Sequence, residues 1–223
     1  MFLSCLSLKN TKSLKAIMAL LDPNDAGRSQ DADHRLVWST FASSPDQRRD
    51  FLFRREADGK IYTLSPRAPV ESEVIAVETK PFKPMLKKGD VLTIRLRANA
   101  TVNRTAAPGQ KSRKHDVVMD HIKANGLPNS ARSTVAAEVG PQWLKEQGKS
   151  AGFDLLAADV KSYETVAVPG AQGSRKSSPQ FSVMELEGVI RVNDPELLLE
   201  RQSKGFGGAR AFGCGLMLLA RAA

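Results

Sequence analysis

The chain has 223 residues, of which 41% are hydrophobic, and a formal net charge of +9, a size that suits two domains of about 100 residues better than one. No run approaches the roughly 18 apolar residues needed to span a membrane, and residues 1–8 are too short and too interrupted by Ser4 and Ser7 for a signal peptide. Cys5 and Cys214 have no CxxC or His/Cys spacing, which excludes the familiar zinc motifs, argues against a disulfide framework and points to a reducing cytosol.

Residues 2–8 read as a short strand. Leu14, Ile17, Met18 and Leu21 then recur at helical spacing over residues 13–21, and Asp22-Pro23 stops that helix. Residues 24–33 have the composition of a loop. His34, Trp38 and Phe41 follow at i, i+4 and i+7, on one face of a second helical piece. Residues 51–55 and 60–64 flank Asp58-Gly59, the signal of a two-residue hairpin whose central positions both take positive φ. Residues 74–77 form another strand candidate, and Pro81 and Pro84, among Lys83, Lys87 and Lys88, mark an interdomain linker.

The pattern restarts at residues 91–97, a strand in which Leu92, Ile94 and Leu96 alternate with Thr93, Arg95 and Arg97. Residues 101–114 read as a loop rich in Gly, Pro, Lys and Arg, followed by helical material from residue 116 to about 147. Residues 155–168 and 181–192 form two strands around a polar, mobile segment, 169–179. Asp194-Pro195 is an N-cap with proline at N1, opening a helix through Leu197, Leu198 and Leu199. Residues 214–220 form the last strand. The second half thus runs β-α-β-β-α-β, and the first half runs β-α-β-β-β with its second helix missing or very short. The fold expected is α+β, two tandem ferredoxin-like (RRM-like) domains with antiparallel sheets, spanning residues 1–88 and 89–223.

Charge is concentrated rather than spread. Residues 83–114 hold nine basic side chains against Asp90 alone, a local surplus of eight. Such a patch draws a polyanion and releases its counterions, so nucleic acid leads the partner classes; a solvated basic surface is the alternative. The second signal is Gly205-Phe206-Gly207-Gly208-Ala209-Arg210-Ala211-Phe212-Gly213-Cys214-Gly215, with five glycines beside Lys204 and Arg210. Glycines let backbone N–H groups approach a phosphate chain. The stretch neither follows a first strand nor ends in Gly-Lys-Ser/Thr, so it is no dinucleotide fingerprint and no P-loop. On its own, such a stretch is also read as a tight turn.

With Leu216, the glycine-rich stretch resembles the C-terminal motif of CRISPR-associated ribonucleases, and most closely the CasE family. Arg49-Asp50-Phe51-Leu52-Phe53, Arg95-Leu96-Arg97-Ala98-Asn99, and Leu186-Glu187-Gly188-Val189-Ile190 with Asn193-Asp194 resemble further family stretches, in order along the chain. The resemblance is weakest over residues 22–33 and 169–179. It implies cleavage of CRISPR precursor RNA at the base of its hairpin, without metal or cofactor. The ribose 2′-OH attacks the adjacent phosphate and leaves a 5′-OH end and a 2′,3′-cyclic or 3′ phosphate. It further implies that the enzyme stays on the product as a subunit of the type I-E Cascade complex.

His34, in His34-Arg35-Leu36-Val37-Trp38, matches the family's catalytic histidine, and histidine exchanges protons near neutral pH. If His34 opens its helix, the positive end of the macrodipole favours its neutral form, with Asp33 acting the other way. Many relatives carry a tyrosine three residues before this histidine. Here Asp31 stands in that place, able at most to orient His34 or to repel the phosphate. The RNA-binding residues expected are Arg35, Arg95, Arg97, the basic-loop set Arg104, Lys111, Arg113 and Lys114, and Lys204, Gly205, Gly207, Gly208 and Arg210 in the glycine-rich region. His115 and His121 read as RNA-contacting or surface residues. A non-catalytic RNA-hairpin-binding or assembly subunit, with His34 idle, is the alternative function.

Overall fold

The computed structural model describes residues 1–11, 26–42, 47–105, 110–167 and 180–222. The first unit runs β1 (Phe2–Leu8), α1 (Ala26–Phe41), β2 (Leu52–Arg55), β3 (Ile61–Ser65) and β4 (Ile75–Pro81), and its sheet has the antiparallel order β2-β3-β1-β4. The second contains β5 (Val91–Ala98), β6 (Thr101–Arg104), β7 (Arg113–Asp116), α2 (Val117–Ala124), α3 (Arg132–Ala151), β8 (Phe153–Ala167), β9 (Gln180–Val192), α4 (Pro195–Lys204) and β10 (Met217–Arg221). Its sheet has the order β10-β5-β9-β8. Both orders are ferredoxin-like, so the tandem α+β fold holds. Among the described residues no helix separates β3 from β4, and no helix is long and apolar enough to cross a membrane.

Alternation builds the second core as the sequence indicates. Leu92, Ile94 and Leu96 of β5 are all buried and pack with Trp143, Leu144 and Leu198 from α3 and α4. Asp194 caps α4 by accepting from the N–H groups of Glu196 and Leu197, with Pro195 at its first position.

Five expectations are corrected. Residues 26–33 are not loop but the first half of α1, whose inward face runs through Gln30, Asp33, Val37 and Phe41. Two of those positions are polar, so the helical stripe is invisible to hydrophobic periodicity. Asp33 is accommodated by Arg55, whose Nη1 lies 2.5 Å from its carboxylate. The β2–β3 turn spans three residues rather than two: the Glu56 N–H donates to the Lys60 carbonyl, and only Gly59 has positive φ, at 83°. Residues 101–114 are not simply a loop, because β6 and β7 pair from Thr101↔Asp116 to Arg104↔Arg113. That ribbon has solvated charged faces and Val102 alone packed on the core. The last strand begins at Met217, since Cys214 to Leu216 still belong to the glycine-rich turn. The helical material after residue 116 also breaks, at Asn125 to Pro128, between α2 and α3. The helix expected over 13–21 and the segment 169–179 lie outside the described residues.

The two sheets are joined in two ways. Leu52 and Leu64 of the first unit bury against Leu216 of the second, with Tyr62, Phe82 and Leu218 around them. Beside this apolar seam runs an ion-pair network. Arg54, with a side chain only 8% exposed, meets Glu56 at 2.5 Å and Glu185 at 3.0 Å. Glu56 also holds Arg95 at 2.7 Å, and Glu185 holds Arg97 at 2.7 Å.

The glycine-rich turn is docked against this junction. The Gly208 N–H donates to the Asn99 carbonyl, the Gly215 N–H to the Arg97 carbonyl and the Phe206 N–H to the Gly215 carbonyl. Gly207 adopts φ 72°, and a Cβ there would lie 2.4 Å from the Asn99 carbonyl oxygen. The glycines therefore let one backbone lie on another.

Two outcomes follow for stability. Glu185→Gln removes the shared carboxylate of two guanidinium groups, one of them buried, and should cost about 2 kcal/mol in denaturant unfolding. Gly207→Ala combines a strained φ with a backbone clash and should cost about 2–4 kcal/mol, lowering Tm by several degrees in a thermal melt.

Candidate active site

Helix α1 carries His34 at mid-length, eight residues after its first residue, Ala26. The dipole of a helix terminus therefore does not act on it, contrary to the expectation for a histidine that opens its helix. Asp31, in the tyrosine's place, is joined to Arg35 at 2.9 Å. Asp33 is buried and ion-paired with Arg55.

What holds His34 is aromatic. Its ring stacks on Trp38 with centroids 6.3 Å apart and meets Phe212 at 5.8 Å. Trp38 in turn meets Phe51 at 5.3 Å, and Phe51 stacks on Phe41 at 4.5 Å. On the other side Phe212 stacks on Phe181 of β9 at 5.4 Å. A row of rings thus passes from the first unit's core, through His34, into the second unit. The Nδ1 of His34 is enclosed and has no hydrogen-bond partner among the described residues.

Phe212 is delivered by the glycine-rich turn. Ala209 takes φ 48°, and the 3-10 turn Arg210–Phe212 follows. The Arg210 Nε donates to the Gly207 carbonyl at 3.1 Å. Burial and then the neighbouring Arg201 charge lower the Arg210 guanidinium pKa, while burial and then Arg210 lower that of Arg49. Arg49 also has an enclosed Nη1 without a partner among the described residues. Sequence reasoning passed over Arg49 as a site residue. The only signal was its place at the head of the stretch Arg49-Asp50-Phe51-Leu52-Phe53.

The other basic residues divide into two sets. Arg95 and Arg97 belong to the ion-pair network between the units, and Lys204 pairs with Glu200 on its own helix. Arg104, Lys111 and Arg113 border an open groove together with His115 and Lys123, and Arg104 is tied to Asp120 at 2.6 Å. The Arg104 hydrogen bond holds the Asp120 carboxyl below its usual value. A second groove is lined by Gly208, Ala209 and Phe181 at one end and by Lys114, Thr101 and Arg132 at the other. It connects the glycine-rich turn with the root of the basic ribbon.

Burial pushes the Cys214 thiol up to about 12, so at neutral pH it is a packed side chain rather than a nucleophile. The Tyr163 phenol, also raised by burial, is bonded to Asp116 at 2.8 Å and Ser182 at 3.0 Å, which makes it a structural anchor. The site therefore consists of an imidazole wedged between rings, a glycine-rich turn bearing Arg210, and basic grooves leading away from that turn.

Comparison with known proteins fits this arrangement. Residues 1–221 match the family described as CRISPR associated protein. The chain is 28% identical over 195 residues to the CRISPR system Cascade subunit CasE of Escherichia coli K12, covering 84% of this chain and 89% of that one. It is 26% identical over 187 residues to the CRISPR-associated endoribonuclease Cse3 of Thermus thermophilus, covering 72% and 79%. Its fold is similar to the solved structure of Thermus thermophilus Cse3 bound to an RNA representing a pre-cleavage complex. There the TM-score is 0.63, at 23% identity over 98% of each chain. With the family match reaching almost from end to end, the chain belongs to the CRISPR-associated protein family.

Proposed function

We propose that the protein is an endoribonuclease that cuts CRISPR repeat RNA at the base of its hairpin and then stays on the product within Cascade, in the cytoplasm. The observation that carries this reading is the contact between His34 and Phe212. It sets a proton-exchanging group beside the turn best suited to hold a phosphate. The names of the two relatives, a Cascade subunit and an endoribonuclease, support the same reading.

In the reaction proposed, the Nε2 of His34 takes the proton of the ribose 2′-OH. The freed oxygen attacks the adjacent phosphorus, the 5′ oxygen leaves and acquires a proton, and the ends are a 2′,3′-cyclic phosphate and a 5′-OH. Arg210, with Arg49 near it, supplies positive charge for the phosphorane. Gly205, Gly207 and Gly208 seat the turn on its own neighbouring backbone, and the turn so placed, with Lys204, faces the RNA backbone. Arg104, Lys111, Arg113 and Lys114 grip the hairpin, whose A-form geometry is read mainly by shape. Arg35 extends this surface on α1. Arg95 and Arg97 act where the two units, 1–88 and 89–223, face each other. No cofactor is needed in this scheme.

A second reading, a hairpin-binding subunit with an idle histidine, is favoured by one observation: among the described residues Nδ1 of His34 has no partner to fix the ring's tautomer. The two are separated by incubating the cognate repeat RNA with protein in EDTA. The wild type should cleave there, while His34→Ala should bind as tightly but cleave about 10²- to 10⁴-fold more slowly. Cleavage that persists in the variant removes His34 from the mechanism, and cleavage abolished by EDTA overturns the metal-free scheme. Hairpin affinity should also fall about 10³-fold between roughly 50 and 200 mM salt if about six phosphates are contacted. A flat titration would exclude the basic ribbon as the binding surface.

A further inference from the structure

A cavity of about 480 Å³ lies between the two units, with Gln30, Phe53, Arg54, Arg97, Glu185 and Phe212 among its walls. Phe212 is shared with His34, so the cavity lies next to the ring that meets the imidazole. Gln30 stands one helical turn before His34, on the same face of α1.

The charges of the cavity are already satisfied. Five basic side chains line it, and each meets a carboxylate of the same lining. Arg54 meets Glu56 and Glu185, Arg55 meets Asp33, Arg95 meets Glu56, Arg97 meets Glu185, and Lys161 meets Glu187 at 3.8 Å. A phosphate would have to break pairs to enter. What is unspent is neutral hydrogen-bonding capacity. Gln30 is only 7% exposed, and among the described residues neither its Nε2 nor its Oε1 has a partner. Native proteins rarely leave both ends of a buried amide unpaired, and doing so is costly. The carboxamide offers one donor and one acceptor side by side, the complement of a nucleobase edge, and Phe53 and Phe212 add ring surface to the wall.

We infer that this cavity receives an unpaired nucleobase next to the scissile phosphate, read on its edge by Gln30 and packed beside Phe212. The inference rests on the ribonuclease reading for its ligand, an RNA. Gln30 is a specificity and positioning residue in this scheme: by seating the base it draws the neighbouring ribose toward His34. Placing the nucleotide this way needs Gln30 to turn its amide into the cavity, which relieves the unpaired state.

The test pairs Gln30→Leu with repeat RNAs in which each nucleotide within two of the cleavage site is made abasic in turn, read by equilibrium binding and by single-turnover cleavage. For the wild type, one abasic position should weaken binding or slow cleavage about 5- to 100-fold. Gln30→Leu should lose a similar factor on the intact RNA and nothing further on that abasic RNA, with Tm unchanged or raised because an unpaired polar group has been removed. Losses that multiply, an intact-RNA response like the wild type's, or no sensitive position at all would overturn the inference, and the last would leave the cavity to a protein partner. If the wild type does not cleave, the ribonuclease reading fails while the binding arm still tests the base pocket. If His34-dependent cleavage holds and the losses multiply, only the pocket fails.

Discussion

The backbone contact between Gly207 and Asn99 decides where everything else in the site can be. A Cβ at position 207 would lie 2.4 Å from a carbonyl oxygen, so the turn lies against the Asn99 backbone only because side chains are absent. From that seat the chain enters the 3-10 turn Arg210–Phe212 and projects Phe212 onto His34. The stretch expected to bind RNA in one half, and the histidine expected to cut it in the other, are thereby a single place. Glycine content that reads as a phosphate cradle also works as a close-packing device.

The distribution of charge follows from the same junction. Arg54, Arg95 and Arg97 meet Glu56 and Glu185 where the units face each other. These pairs hold the two sheets in register, and they leave the cavity beside Phe212 electrically balanced. At the ribbon Arg104 is paired with Asp120, but its basic neighbours have no such shelter among the described residues. Lys111, Arg113 and Lys114 are exposed, and counterion release there is available to a polyanion. The +9 of the chain is thus divided between charge that holds the molecule together and charge that is open to a ligand.

Much of the second unit was legible because its strands alternate and its caps are local. Leu92, Ile94 and Leu96 mark a buried strand face, and Asp194-Pro195 marks a helix start, with no need of tertiary information. Helix α1 was half missed because Gln30 and Asp33 occupy inward positions, and burial of polar groups is decided by partners such as Arg55 that lie far along the chain. The β6–β7 ribbon has the sequence of a loop because most of its side chains are polar or charged and solvated, so its strands carry no hydrophobic period. His34 and Arg210 were visible as residue types in motifs. Phe212, which joins them, was visible only as a spacer between glycines, since its role depends on a contact across more than 170 positions of sequence. Arg49 was hidden for the same reason.

The central claim is that the turn places His34 through Phe212, and Phe212→Ala tests it most directly. Repeat-RNA binding and single-turnover cleavage would be measured on the same preparation, with Phe212→Leu as a partial rescue. Loss of the ring should leave Kd within about threefold while cleavage slows about 10- to 100-fold, because misplacing a reacting group by an ångström has effects of that size. The leucine variant should recover part of the rate. Cleavage at the wild-type rate in Phe212→Ala, or a loss confined to binding, would contradict the claim.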